Sequence, residues 1–120
     1  MSGAPPAATI YKICPAALWE AAVDAGRFTG AGIDRTDGYI HFSTAAQLAE
    51  TAAKHFAGQS DLVLVAVDAA ALGGDLRWEP ARGGALFPHL YRPLPLGAVR
   101  SVAPLPLGAD GRHRLPPLAG

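Results

Sequence analysis

The chain has 120 residues, half of them hydrophobic, and ten Lys and Arg balance ten Asp and Glu for a formal net charge of zero. That length and apolar content support one domain with a real core and exclude a chain disordered throughout. No basic stripe is present, which disfavours duplex nucleic-acid binding by phosphate neutralisation; a nucleotide or a single short RNA end needs few charges and stays within reach.

Cys14 is the only cysteine, so the chain has no intrachain disulfide and no multi-cysteine metal site. The opening "MSGAPPAATI" lacks the basic start and apolar core of a signal peptide. No run approaches the roughly 20 apolar residues of a membrane span, so a cytoplasmic location without membrane contact is expected. Eight of the ten basic residues are Arg, which with the abundant Ala, Gly and Pro reads as compositional bias.

In chain order, Met1 to Ala8 reads as a loose leader. Thr9 to Ile13, "TIYKI", is a short strand with Tyr11 and Ile13 on one face and Ile10 and Lys12 on the other. "CPAALWEAAVDAG" reads as a helix: Pro15 suits its first position, Leu18, Ala21, Ala22 and Ala25 follow helical spacing, and Gly26 stops it. Trp19 lies off that stripe and is assigned to the core. "RFTGAGIDRTDG" reads as a turn-rich loop. "YIHFS" is the next strand, with apolar Ile40 and Phe42 on one side and Tyr39, His41 and Ser43 on the other. Thr44 and Gln47 fit a capping box for a second helix whose stripe is Leu48, Ala52 and Phe56 with Ala45 and Ala49, ended by Gly58.

Asp61 to Asp68, "DLVLVAVD", is continuously apolar at strand length and reads as a central strand buried on both faces. "DLRWE" is a further strand, with Arg77 and Glu79 sharing a face. In "LFPHLY", Pro88 points to an edge, a strand start or a bent segment; His89 and Tyr91 are placed on one face, opposite Phe87 and Leu90. "AVRSV" is the last strand, flanked by two copies of "PLPLGA" read as similar proline turns. The ordered domain is expected over residues 9–107, with 108–120 a loosely ordered tail. Helices early and strands late predict a mixed α+β domain instead of a doubly wound parallel sheet.

The chemistry is sparse. The glycines of "GRFTGAG" lack the Lys-Ser/Thr of a phosphate-binding loop and lead into no helix. Ser43 lies between strand and helix but lacks the flanking glycines of a nucleophile elbow. His41 can donate, accept and change charge near neutral pH. It is either a working group or a strand histidine satisfied by backbone or Tyr39; a lone His would favour the latter, and Tyr39, Ser43 and nearby Arg35 bring the two readings level. Glu79, the only glutamate outside the two helices, ends a strand; it either faces a cleft or pairs with Arg77. His89 is ligand-facing or structural, and His55 and His113 are expected at the surface. His41, Glu79 and His89 could together hold a metal, but no motif supports that, and no metal is predicted. They could instead line an organic-ligand site, with Glu79 as base or ribose partner.

The strings "IYKICPAALWEAA", "DGYIHFSTAAQL", "DLVLVAVD", "LRWE" and "LFPHLYRPLPLGAV" resemble, in order, the domain of unknown function 952 family of short bacterial proteins. The resemblance runs from about Ile10 to Leu105, with I-H-F-S and F-P-H-L-Y its most specific pieces. That family is similar to the ADP-ribosyltransferase superfold, especially its RNA 2′-phosphotransferase branch. The resemblance implies an ADP-ribosylation-like fold of split mixed sheets with two main helices, gripping NAD⁺ between them. It puts His41 and Ser43 on the site strand and Tyr11 and Lys12 on the first strand, where many such enzymes carry a His or Arg. The H-G-T triplet is absent, and a fold does not fix a function.

The expected activity is a small transferase acting on a nucleotide-like or phosphorylated ligand, with NAD as the candidate cofactor. His41, Glu79 and His89 would be catalytic, and Tyr11, Lys12, Arg35, Tyr39, Ser43 and Tyr91 would bind substrate. In that expectation His41 and Tyr11 hold ribose or phosphate oxygens, Glu79 orients a hydroxyl, and Arg35 and His89 offset phosphate charge. The alternatives are a non-catalytic binding module that kept the cleft, and a structural or interaction domain; protein partners are not legible.

Overall fold

A computed structural model describes residues 8–118; of the expected leader, all but Ala8 lies outside them. The strands are β1 (Thr9–Pro15), β2 (Arg27–Phe28), β3 (Ile40–His41), β4 (Leu62–Asp68), β5 (Leu76–Pro80), β6 (Leu86–Leu90), β7 (Leu94–Pro95) and β8 (Val99–Leu105). The α-helices are α1 (Ala16–Ala25), α2 (Ile33–Asp37) and α3 (Leu48–His55).

β4 is apolar from Leu62 to Val67 because it runs in the middle of a sheet covered on both faces. It pairs with β1 from Thr9 opposite Asp68 to Pro15 opposite Leu62, and on its other edge with β8. One face of this β1-β4-β8 sheet sends Ile10, Cys14, Val65 and Val67 into the larger core, with Trp19, Phe28, Ile40, Phe42, Leu72, Leu90 and Leu94. The other face sends Tyr11, Ile13, Leu62, Leu64 and Ala66 against Leu48 and Ala52 of α3. A second three-stranded sheet runs in the order β3-β6-β5, and β2 pairs with β7. The α+β class and the two-faced reading of β1 hold. The sheets are not mixed: every described strand pair is antiparallel.

Several expectations are corrected. The segment read as a loop, "RFTGAGIDRTDG", contains β2 and the short helix α2, which Gly38 closes at φ 84° with its N–H donating to the Asp34 carbonyl. α1 is rotated from the expected stripe: Trp19 and Ala22 are buried, while Leu18 is 44% exposed and Ala21 and Ala25 face solvent. The indole has the greater area to bury and packs on Phe28 with ring centroids 5.6 Å apart, so it sets the phase. In the second helix Leu48 and Ala52 are buried but Ala49 is exposed, and α3 is capped at Phe56, ahead of Gly58. Its lead-in turn, Ala45–Gln47, does use Gln47, whose side-chain oxygen accepts from the Thr44 N–H at 3.0 Å.

Pro88 sits in a central strand, β6, and not at an edge. Phe42 N–H donates to the Pro88 carbonyl at 2.9 Å, but proline has no N–H to return, so the β3–β6 ladder stops after Ile40 and His41. Phe87 lines the same cavity as His89 instead of opposing it, as alternation by two requires. The two "PLPLGA" copies are not twin turns: the first supplies β7, the second begins inside β8. The tail folds back: Leu107 bridges to His113, and Leu115 and Leu118 pack on the smaller core. Among the described residues no helix is long and apolar enough to cross a membrane.

Candidate functional site

The site begins with α2. Asp34 and Asp37 are three residues apart on one helical turn, so both reach the same side. Gly38 then reverses the chain into β3 and brings His41 back beside them. Asp34 is 2% exposed and uses both oxygens. Oδ1 accepts from the His41 backbone N–H at 3.1 Å and lies 2.6 Å from that ring's Nδ1. Oδ2 accepts from the Ala31 N–H at 2.9 Å and lies 2.7 Å from Lys12 Nζ. Lys12 Nζ also donates to the His41 carbonyl at 3.0 Å. His41 Nε2 lies 3.0 Å from Asp37 Oδ2. A lysine buried on β1 is thereby tied to the strand of the other sheet through one carboxylate.

Burial pushes the Asp34 carboxyl up, but the hydrogen bond from His41 and the charge of Lys12 outweigh it and bring it down to about 2. Cys14, on the same face of β1, has its thiol pushed up to about 11, chiefly by burial, which leaves it inert.

A second imidazole–carboxylate pair stands next to the first. On β6, His89 is 4% exposed, and its Nδ1 lies 2.8 Å from Glu79 Oε1 on β5. Tyr91 Oη donates to the same oxygen at 2.7 Å. Those two hydrogen bonds, Tyr91's first, hold the Glu79 carboxyl below its ordinary value, and the Tyr91 phenol is raised in turn. The Tyr39 ring stacks on His89, His41 and Tyr91, at centroid distances of 4.3, 4.6 and 5.1 Å. The two imidazoles are 5.3 Å apart. The expected surface pair of Glu79 with Arg77 gives way to this arrangement; the Arg77 guanidinium lies 4.7 Å over the Tyr91 ring.

Both histidines line a cavity of about 580 Å³ between β1 and the β3–β6 strands, bordered by α2 and α3. That is within the roughly 300–1,000 Å³ of small-molecule sites. Tyr11, Lys12 and Ser43 line it too. Tyr11 and Ser43 also exchange both backbone hydrogen bonds, at 2.8 and 2.9 Å, joining the two sheets at the cavity floor. Ser43 Oγ lies 2.9 Å from Thr51 Oγ1. Glu79 reaches the cavity only through His89, and Tyr39 and Tyr91 form the stack behind it. Arg35 does not line it; it is exposed and donates to Thr29 Oγ1 at 3.4 Å. His41, Glu79 and His89 therefore come together, and Arg35 stands apart.

Sequence reasoning passed over Asp34 and Asp37. The signal was the Asp-x-x-Asp spacing ahead of "GYIHF", hidden because the short helix carrying it has too few residues to show a period. Among the described residues no group of three or more His, Cys, Asp or Glu is arranged to hold a metal ion.

Fold and site define a small α+β domain with a ligand-sized cleft walled by two histidine–carboxylate pairs. The chain belongs to the family described as "Protein of unknown function (DUF952)", which matches residues 13–102. It is similar to protein CC0527 from Caulobacter crescentus, whose crystal structure is 55% identical, with 88% of this chain and 93% of that chain covered and a TM-score of 0.85. A methionine double mutant of CC0527 gives 54% identity and the same coverage and TM-score. Its solution structure gives 55% identity, covers 88% of this chain and 90% of that one, and has a TM-score of 0.79. No curated protein matches the chain.

Proposed function

We propose that the cleft binds a small nucleoside-like ligand and that His89, oriented by Glu79, exchanges a proton with it. One observation carries this reading. Glu79 holds His89 Nδ1 at 2.8 Å, while the ring lines the cavity and its Nε2 has no protein hydrogen bond among the described residues. A base needs an open nitrogen toward its substrate and a partner fixing the other. His41 is engaged at both nitrogens and serves position in this scheme.

The narrower form of the proposal is NAD⁺-linked transfer on an ADP-ribosylation-like fold. It is supported by two three-stranded sheets flanking one cleft, with Tyr11 and Lys12 of β1 facing the same space as His41 and Ser43. A non-catalytic binding module is the second reading. It is favoured by Lys12, which would have to leave Asp34 to serve a ligand.

The test is calorimetric titration with NAD⁺, ADP-ribose, adenosine, nicotinamide and phosphorylated RNA ends, followed by product analysis. Heat with at least one is expected. No heat with any of them up to millimolar concentration would overturn the proposal and leave a structural or interaction domain. Product from the wild type but not from Glu79→Gln would remove the non-catalytic reading.

A further inference from the structure

Two large apolar side chains stand open at the mouth of the cleft. Leu18 of α1 is 44% exposed and Ile33 of α2 is 62% exposed, and both line the cavity. Each is turned outward by its neighbour in the chain. Trp19 takes the buried side of α1, and Asp34 points inward to Lys12 and His41. Phe56, partly buried at the end of α3, lines the cavity with them. Single exposed leucines are ordinary, whereas apolar side chains from three helices bordering one opening suggest a contact surface. His55 and Gln59 are exposed on the α3 side of the same lining, and the Gln59 amide donates to the His55 carbonyl at 3.3 Å.

The buried part of the lining carries polar groups. Ser43 and His89 are each 4% exposed. Ser43 Oγ is bonded to Thr51 Oγ1 at 2.9 Å, and a hydroxyl with one partner has capacity for another. His89 presents its Nε2 to the cavity while Glu79 holds Nδ1. Leu18 and Ile33 outside, with Ser43 and His89 inside, invert the usual order of apolar and polar side chains. A ligand lying in this cavity loses water at its inner end, where every polar atom needs a partner. Ribose hydroxyls can find one in Ser43 Oγ and His89 Nε2. A heterocycle has apolar faces and polar edges; at the mouth its faces cover Leu18 and Ile33 while its edges keep their water. We infer that, given the ligand cleft proposed above, a nucleoside-like ligand enters sugar first, with its hydroxyls at Ser43 and His89 and its base against Leu18 and Ile33. The site then reads the sugar and is nearly indifferent to the base.

The test is calorimetry on the full chain with adenosine, inosine, guanosine and 2′,3′-dideoxyadenosine. The three ribonucleosides are expected to bind within about threefold of one another, and the dideoxy compound at least about tenfold more weakly, because a site that hydrogen-bonds a hydroxyl rejects the analogue lacking it. Leu18→Ser and Ile33→Ser are each expected to weaken all three ribonucleosides by about fivefold, through lost apolar contact. Val23→Ser is the control: Val23 is 50% exposed on the same helix as Leu18 but does not line the cavity, and its loss should leave binding unchanged. A preference among the three bases above about tenfold, dideoxyadenosine binding as tightly as adenosine, or Leu18→Ser and Ile33→Ser behaving like Val23→Ser would each overturn the inference and leave the cleft proposal standing. If none of the nucleosides binds the wild type, the cleft proposal falls and this inference with it.

Discussion

Asp34 and His41 are joined twice through one oxygen: Asp34 Oδ1 accepts the His41 backbone N–H at 3.1 Å and lies 2.6 Å from its ring Nδ1. With Lys12 on the other oxygen, a single buried carboxylate fixes a ring, a strand and a lysine from the opposite sheet. Removing one partner of a buried ion pair leaves an uncompensated charge, which costs far more than removing both. Asp34→Ala and Lys12→Met are each expected to destabilise the fold by about 3–5 kcal/mol. The double variant should cost well under their sum. Urea denaturation of all four proteins measures the coupling, and simple additivity would refute it.

Acid should loosen the same contact. The Asp34 carboxyl lies at about 2 in the fold against an ordinary 3.8. Its folded value is depressed, so its stabilisation is present above 3.8 and lost as the pH falls through about 2. At about 1.4 kcal/mol per pH unit this amounts to about 2 kcal/mol. The stability gap between wild type and Asp34→Asn should shrink by that amount below pH 4. A gap constant from pH 7 to pH 2 would contradict it.

Gly30 guards Asp34 from the other side. Its φ is 110°, and a Cβ there would lie 2.8 Å from Asp34 Cβ. Gly30→Ala combines a disfavoured backbone with a clash at the carboxylate, for a cost of about 1–3 kcal/mol. It should also shift the His41 ring resonances in NMR spectra. Gly26→Ala shares a positive φ of 85° but has nothing within 4 Å, so it should leave those resonances in place.

Tyr91 tunes the second pair. Its hydroxyl is the foremost cause of the lowered Glu79 carboxyl. In Tyr91→Phe the Glu79 carboxyl should titrate at higher pH, read by carboxyl-carbon NMR. An unchanged midpoint would show that His89 alone sets it.

The strands announced themselves where burial was simple. β4 is apolar from Leu62 to Val67 because both faces are covered, and β1 divides cleanly because each face meets a different core. His41 and His89 stood out by sharing faces with Tyr39 and Tyr91. The misreadings occurred where tertiary contacts outrank local pattern. Trp19 turned α1 away from its alanine stripe. Pro88, read as an edge, a strand start or a bent segment, sits in a central strand because its missing N–H falls where the β3 ladder ends. Asp34 was silent because its importance comes from Lys12, 22 positions away on another sheet.

The paired backbone bonds between Tyr11 and Ser43 are a single stitch between two panels. The panels cannot slide along each other without breaking it, so the floor of the cleft has a fixed corner, and any change in its width there is a swing and not a shear. That corner follows from Pro88: a strand that cannot continue its ladder with β6 is released to cross to its neighbour.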